Sequence, residues 1–433
     1  MFLNTVADRN PALIRAATAL HQGGAIPANT YVVDRETVRD NARGMVLRAG
    51  EVGLSLYFMT KHFNRNPLVS HSVVAAGIPA AVAVDVQDAQ ALARYGVPVG
   101  HVGHLVQIPK HSLRVVLALR PEIMTIFGVD KARQVSEVAM GMGLVQDIQL
   151  RVRGTEDIIY PNEEGGVWEH ELEDTAREIE KMAGVRLVGV VSFPATLYNP
   201  KTNRLEATVN FDTLRRTRDR LTGLGFEIKQ VNAAGSSSTL GFETVVRNGG
   251  THAEPGHALT GMTPWHFCDQ TTPERPAIVY VSEVSHLFDG KAYVFGGGFY
   301  ACDTPADVGD DTRYRVGPWE PRAFVGRTPD DILDTSVPVD VNSFFGRTLN
   351  ATDYYGGTLC PDQPTDIRVG DTAVYGFRPQ AFTTRSHVAV LDGVDSIPRL
   401  LGLFDRAGNL LDEDGYPVEN SVSRVRELVA DLT

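Results

Sequence analysis

The sequence predicts an α/β fold, a (β/α)8 barrel followed by a β-rich domain. Three observations carry this. Apolar runs of strand length alternate with helical stretches from residue 30 to the 230s. The alternation stops near Gly261, and from Ala277 onward strands recur without long helices. An early apolar run ends in a lysine, Lys61, at the strand end where such barrels build their sites.

Residues 8–22 read as a short amphipathic helix. Thr30–Asp34 reads as a strand and Arg35 to Arg48 as a helix. Leu54–Thr60 has strand length and carries aromatics with no charge, so it reads as a buried strand. Further strands are expected at Ala80–Val84, His104–Ile108, Ile123–Phe127, Gln149–Val152, Leu187–Val191 and Ile228–Asn232. Helices are expected at Asp130–Met142, Glu169–Ala183 and Phe211–Leu224. The later strands are Ala277–Val284, Lys291–Phe295, Asp371–Phe377, His387–Leu391 and Arg399–Phe404, punctuated by Gly, Pro and Asp. Residues Asp303–Asp334 are polar and Pro/Gly-rich and read as loops. The barrel is placed at residues 25–265, and the β-rich domain at 266–433 together with 1–24.

The chain has 433 residues, 43% hydrophobic and 22% charged, in keeping with a globular protein of two domains. A net charge of −12 with no basic cluster argues against nucleic acid or an anionic membrane as partner. Three cysteines, Cys268, Cys302 and Cys360, form no C-x-x-C pair, which suits a reducing cytoplasm. No secretory signal and no apolar run of membrane-spanning length is read.

Lys61 is the first candidate. A desolvated amine at a barrel mouth can lose its proton and form an imine with a carbonyl, as lysines do that hold pyridoxal phosphate. Alone, a lysine closing a strand is more often a surface residue. Asn232-Ala233-Ala234-Gly235-Ser236-Ser237-Ser238-Thr239 follows a strand. Its small residues allow close backbone approach, and its hydroxyls and amides can donate to a phosphate, although an ordinary Ser-rich turn reads the same way. Thr251-His252-Ala253-Glu254-Pro255-Gly256-His257 makes a rigid turn at a strand end. Gly256 can present its amide to phosphate, and Glu254 can face a pyridine nitrogen; the alternative is a solvent-facing turn acid.

These motifs together resemble fold-type III pyridoxal phosphate enzymes, the group of alanine racemase and the diaminopimelate and ornithine decarboxylases. The resemblance is closer to the YhfX-like racemase group. It rests on Met59-Thr60-Lys61 with Arg65-Asn66-Pro67, Gly103 to Pro109, His252 to Gly261, Gly296-Gly297-Gly298 and Asp353-Tyr354-Tyr355, and runs through almost the whole chain. It implies a pyridoxal 5'-phosphate cofactor, an amino-acid substrate and a homodimer whose active sites are shared between subunits. It makes Lys61 the Schiff-base lysine, and places Ser236, Ser237 and Gly256 at the phosphate, with His104 and His257 near the cofactor. Alanine racemases carry an arginine where this chain has Glu254, whereas the decarboxylases carry glutamate.

Racemisation needs a second acid/base on the opposite face of Cα. The resemblance points to Tyr354 or Tyr355 from the partner subunit, and Cys360 sits in a loop similar to the partner-supplied cysteine loop of the decarboxylases. Where related proteins carry a histidine on the sixth strand, this chain has Ser192. Arg151, Tyr160 and Arg385 are candidates for the substrate carboxylate. His266 and Cys268 have a zinc-like spacing without further ligands, so no metal is expected. The expected activity is amino-acid racemisation or epimerisation. Decarboxylation is the alternative, and a cofactor-carrier or homeostasis protein the alternative of another class.

Overall fold

The computed structural model describes residues 2–299, 321–340, 343–344, 347–348, 354–362 and 365–432. A parallel barrel and an antiparallel sheet share the chain. The barrel's staves are segment 55–59, then Ala81–Ala83, Val99–Val102, Ile123–Ile126, Gln146–Arg153, Val185–Asn199, Gln230–Gly235 and His252–Ala253. Segment 55–59 closes the circuit. Its first half, Ser55–Leu56, pairs with His252–Ala253, and its second half, Phe58–Met59, pairs with Ala81–Ala83. The Tyr57 amide donates to Ala253 O and the Phe58 amide to Ala80 O, each at 3.1 Å. These staves read as continuous apolar runs because helices cover them outside and side chains fill them inside. Tyr57, Met59, Val82, Val84, Ile123 and Val188 form an apolar cluster separate from the main core. Gly100 makes room for it, since a Cβ there would lie 2.6 Å from the Tyr57 ring.

The second sheet contains a closed antiparallel ring. Ile278–Phe288 pairs with Lys291–Phe295, and the ring continues through Tyr355–Leu359, Ser336–Asp340, Arg322–Gly326 and Thr372–Tyr375 back to Ile278–Phe288. Thr30–Asp34, His387–Asp392 and Arg399–Phe404 extend it on one side.

Four expectations change. Thr30–Asp34, a strand falling within the 25–265 bounds given to the barrel, lies in the second sheet, between Ile278–Phe288 and His387–Asp392. Its local strand-then-helix pattern is the same in either setting, and only distant partners decide. The helix it feeds, Arg35–Val52, stays bound to that sheet through Arg35, whose guanidinium grips Asp392 at 2.8 and 2.5 Å. Residues 8–22 form no single helix. Phe2–Arg9 and Pro11–Gln22 are separated at Asn10, whose side chain caps the Leu13 amide, with Pro11 opening the second helix. His104–Ile108 is a loop, and the strand is Val99–Val102. Gly103, at φ 82°, turns the chain there, and Gln107 bonds Thr125 O and the Phe127 amide instead of joining the ladder. Of the loop expected at Asp303–Asp334, residues 303–320 lie outside the described residues, and Arg322–Gly326 is a strand. Cys302 and Asp353 also lie outside them. Among the described residues, no helix is long and apolar enough to cross a membrane.

Candidate active site

A cavity of about 430 Å³ opens where the barrel strands end. Met59 lines it from the end of the first stave and Lys61 from beyond it, His104 and Leu105 from beyond the third, and Tyr160 and Glu163 from beyond the fifth. Phe193 lies on the sixth stave, and Ser236 and Ser237 follow the seventh, while Glu254, Gly256 and His257 follow the eighth. Arg378 and Gln380 from the β-rich part complete the wall.

Lys61 opens a single turn, Lys61–Phe63, directly after the stave. Its Nζ lies 5.7 Å from the Phe382 ring centre. His62 also lines the cavity, and its ring is held in place. Its ring packs 3.4 Å from that of His257, and both reach Pro379 O, at 3.3 and 2.8 Å. Burial pushes both imidazoles well below the ordinary range, with Lys61 adding to the effect on His62. Arg378 Nε donates to His257 Nδ1 at 3.1 Å, so His257 is a neutral ring bridging barrel and β-rich part.

Glu254 forms the floor. Its Oε1 accepts from His101 Nδ1 at 2.5 Å and from Asn232 Nδ2 at 2.6 Å. Behind it, His101 Nε2 meets Thr125 Oγ1 at 2.6 Å and Gln149 Nε2 at 2.9 Å. The third, fourth, fifth and seventh staves thus supply one polar layer around a buried carboxyl. Burial opposes its ionisation, but the imidazoles of His101 and His104 and the bonds from His101 and Asn232 outweigh it and hold the carboxyl at about 2. Burial also pushes His104 down to about 3, so near neutral pH His104 faces Glu254 as a neutral ring. Glu254 Oε2 has no hydrogen-bond partner and stands 3.6 Å from His104 Nδ1.

The Ser236–Ser237 loop is pinned to the sixth stave. The Ser236 amide donates to Thr196 O and Thr196 Oγ1 to Ser236 O, both at 2.9 Å. Ser237 Oγ is buried without a partner. Gly256 is a cradle that no side chain can enter, because a Cβ there would lie 2.4 Å from His62 Nε2. With His62 locked against His257, Gly256→Ala is expected to cost about 1–3 kcal/mol of overpacking. It should also weaken cofactor affinity at least about tenfold at the same cost, read by fluorescence titration.

The sequence reading missed His101, Glu163 and Arg378. His101 was passed over because the strand was placed five residues late; the His-x-x-His spacing with His104 was the available signal. Glu163 and Arg378 carried none, being charges in loops outside any recognised motif. Arg151 does not line the cavity. Its ring-facing guanidinium lies 5.1 Å from Phe127 and donates to Glu163 O at 2.7 Å. Tyr160 does line it. Arg385, Tyr354, Tyr355 and Cys360 lie away from their own chain's cavity. Arg385 sits 5.3 Å from the Tyr354 ring, Tyr354 is 74% exposed, and Cys360 Sγ turns to Thr358 O at 3.6 Å. Ser192 is buried and bonded by Asn210 at 3.3 Å, while His104 and Phe193, edge to face at 5.8 Å, line the cavity. His266 spends both ring nitrogens on Thr263 and Glu274, at 2.6 and 3.1 Å, and Cys268 is a free, exposed thiol. His101, His104 and Glu254 bring ligand-type atoms within 4.8 Å of one another, although His101 and Glu254 are already bonded together.

Residues 33–264 match the model of the alanine racemase N-terminal domain, and residues 279–313 and 330–400 that of the YhfX-like C-terminal domain. The chain is 34% identical over 412 residues to the uncharacterized protein YhfX of Escherichia coli (strain K12), covering 95% of this chain and all of that one. In fold it is similar to D-threonine aldolase from Filomicrobium marinum, with TM-score 0.62 and 14% identity over 89% of this chain and 96% of that chain. It is also similar to alanine racemase of Clostridium difficile 630 in complex with cycloserine, with TM-score 0.58 and 14% identity over 88% and 99%. The cavity fits the cofactor of that family on its own chemistry. It has a lysine at a strand end, an ionised carboxylate with one oxygen unpartnered, an orphaned Ser237 hydroxyl and the Gly256 cradle. The chain belongs to the alanine racemase-fold family of pyridoxal phosphate-dependent enzymes, in its YhfX-like branch.

Proposed function

We propose that this protein is an amino-acid racemase or epimerase acting through pyridoxal phosphate. The observation that carries the reading is one cavity lined by both Lys61 and an ionised, rigidly held Glu254. When bound, the cofactor supplies an aldehyde for amines and a ring that withdraws electrons from the substrate Cα. Lys61 Nζ would anchor it and would take or return the Cα proton on its own face. Glu254 Oε2 would hold a proton at the ring nitrogen. Ser236, Ser237 and the Gly256 amide donate to the phosphate. Arg378 and Gln380 of the β-rich part complete the wall, which supports an enzyme over a carrier with the barrel alone.

The second face is served by Tyr354 of a second copy, as a homodimer with shared sites requires. Its exposure and the Arg385 guanidinium beside its ring support this. Incubating the holo-protein with an amino-acid panel in deuterated water tests the reaction. Deuterium at Cα in both enantiomers is expected, whereas carbon dioxide release would replace this reading with decarboxylation. Tyr354→Phe should slow racemisation by about 100- to 10,000-fold, with Tyr355→Phe far less affected. Loss in Cys360→Ser instead would move the role to the thiol.

A further inference from the structure

Glu163 is a cavity carboxylate that none of these roles uses. It lies on loop 154–166, after Gln146–Arg153, beside Tyr160 and Pro161. The loop is held from behind. Arg151 Nη2 and Arg153 Nη2 both donate to the main-chain carbonyl of Glu163, at 2.7 and 2.9 Å, and Arg153 Nε donates to Gly165 O at 2.8 Å. Asn210 ties Ile158 in both directions, at 2.8 and 3.0 Å. Gly166, at φ 115°, lets the chain return, since a Cβ there would lie 2.6 Å from Arg151 O.

The two guanidiniums therefore take the carbonyl and leave the carboxylate to the cavity. Glu163 Oε2 is buried without a hydrogen-bond partner. Such an atom carries a desolvation cost that a donor would remove. Burial raises the Glu163 carboxyl, and the strongest influence pulling it back is the charge of Lys61. A substrate's α-amine is committed to the cofactor, and its α-carboxylate would be repelled by Glu163. Of the substrate's own groups, the side chain remains to meet Glu163.

We propose that Glu163 selects amino acids whose side chain ends in an ammonium group, which the carboxylate receives across the cavity. This rests on the reading that the protein acts at the Cα of amino acids, so the test separates the two. Ornithine and norleucine differ at the chain end by ammonium against methyl. Each is titrated into the holo-protein, following the shift of the cofactor's visible band, which reports binding without turnover. Ornithine should bind about 10- to 100-fold tighter than norleucine, the worth of one charge-assisted hydrogen bond. The ratio should fall toward one in Glu163→Gln. A wild-type ratio near one, or a ratio kept in Glu163→Gln, overturns the proposal. If Glu163→Gln loses the cofactor band, Glu163→Asp takes its place, and an unchanged ratio there overturns it equally. Selective ornithine binding without Cα exchange in any amino acid would leave Glu163 its role and sink the racemase reading.

Discussion

Lys61→Ala is expected to abolish the borohydride-trappable link between protein and cofactor and to slow Cα exchange by at least about 1,000-fold. The magnitude follows from losing a covalent anchor and a proton-transfer group in one atom. The turn Lys61–Phe63 leaves no substitute, since its neighbour His62, although it lines the cavity, is kept neutral by burial and held against His257 and Pro379 O. Peptide mapping of reduced holo-protein locates the link. A trapped adduct elsewhere, or undiminished exchange in the variant, would remove Lys61 from the mechanism. Folding should survive, because Lys61 is half-buried at a cavity edge rather than packed in the core.

Glu254→Gln should slow Cα exchange by about 100- to 1,000-fold, the usual cost of removing one preorganised charge-stabilising group, while cofactor binding persists through Lys61 and the Ser236–Ser237 loop. An amide keeps the shape but cannot hold a proton at the ring nitrogen. Unchanged exchange would place Glu254 away from the ring. The pH dependence has a definite sign. The folded carboxyl is held at about 2, below the ordinary carboxylate value, so its bonds to His101 and Asn232 stabilise the fold above the ordinary range. That contribution is lost as pH falls through about 2. In Glu254→Gln this part of the acid destabilisation should disappear, measured as the shift of the thermal midpoint with pH. No limb of the activity profile near neutral pH should belong to Glu254.

Lys61, Glu254, Gly256 and the serine pair were legible because each sits in a short motif tied to a strand end, where neighbours in sequence are neighbours in the site. His101 was not, because its strand has only four residues and ends at a glycine turn. Glu163 and Arg378 were not, because their positions depend on bonds to residues far along the chain, such as Arg153 to Gly165 and Arg378 to His257.

The sequence by itself determined the barrel with a β-rich partner, since strand and helix periodicities and their change near Gly261 are local properties. It also determined the chemistry on offer, because a lysine, a carboxylate and a phosphate-type loop can be named from their motifs. The tertiary structure decided which sheet Thr30–Asp34 joins, since both sides of that strand pair with segments hundreds of residues away. It also decided the state of Glu254. A carboxylate at full burial is stable only because His101 and Asn232 arrive from other staves to bond it, and that meeting exists only once the barrel closes.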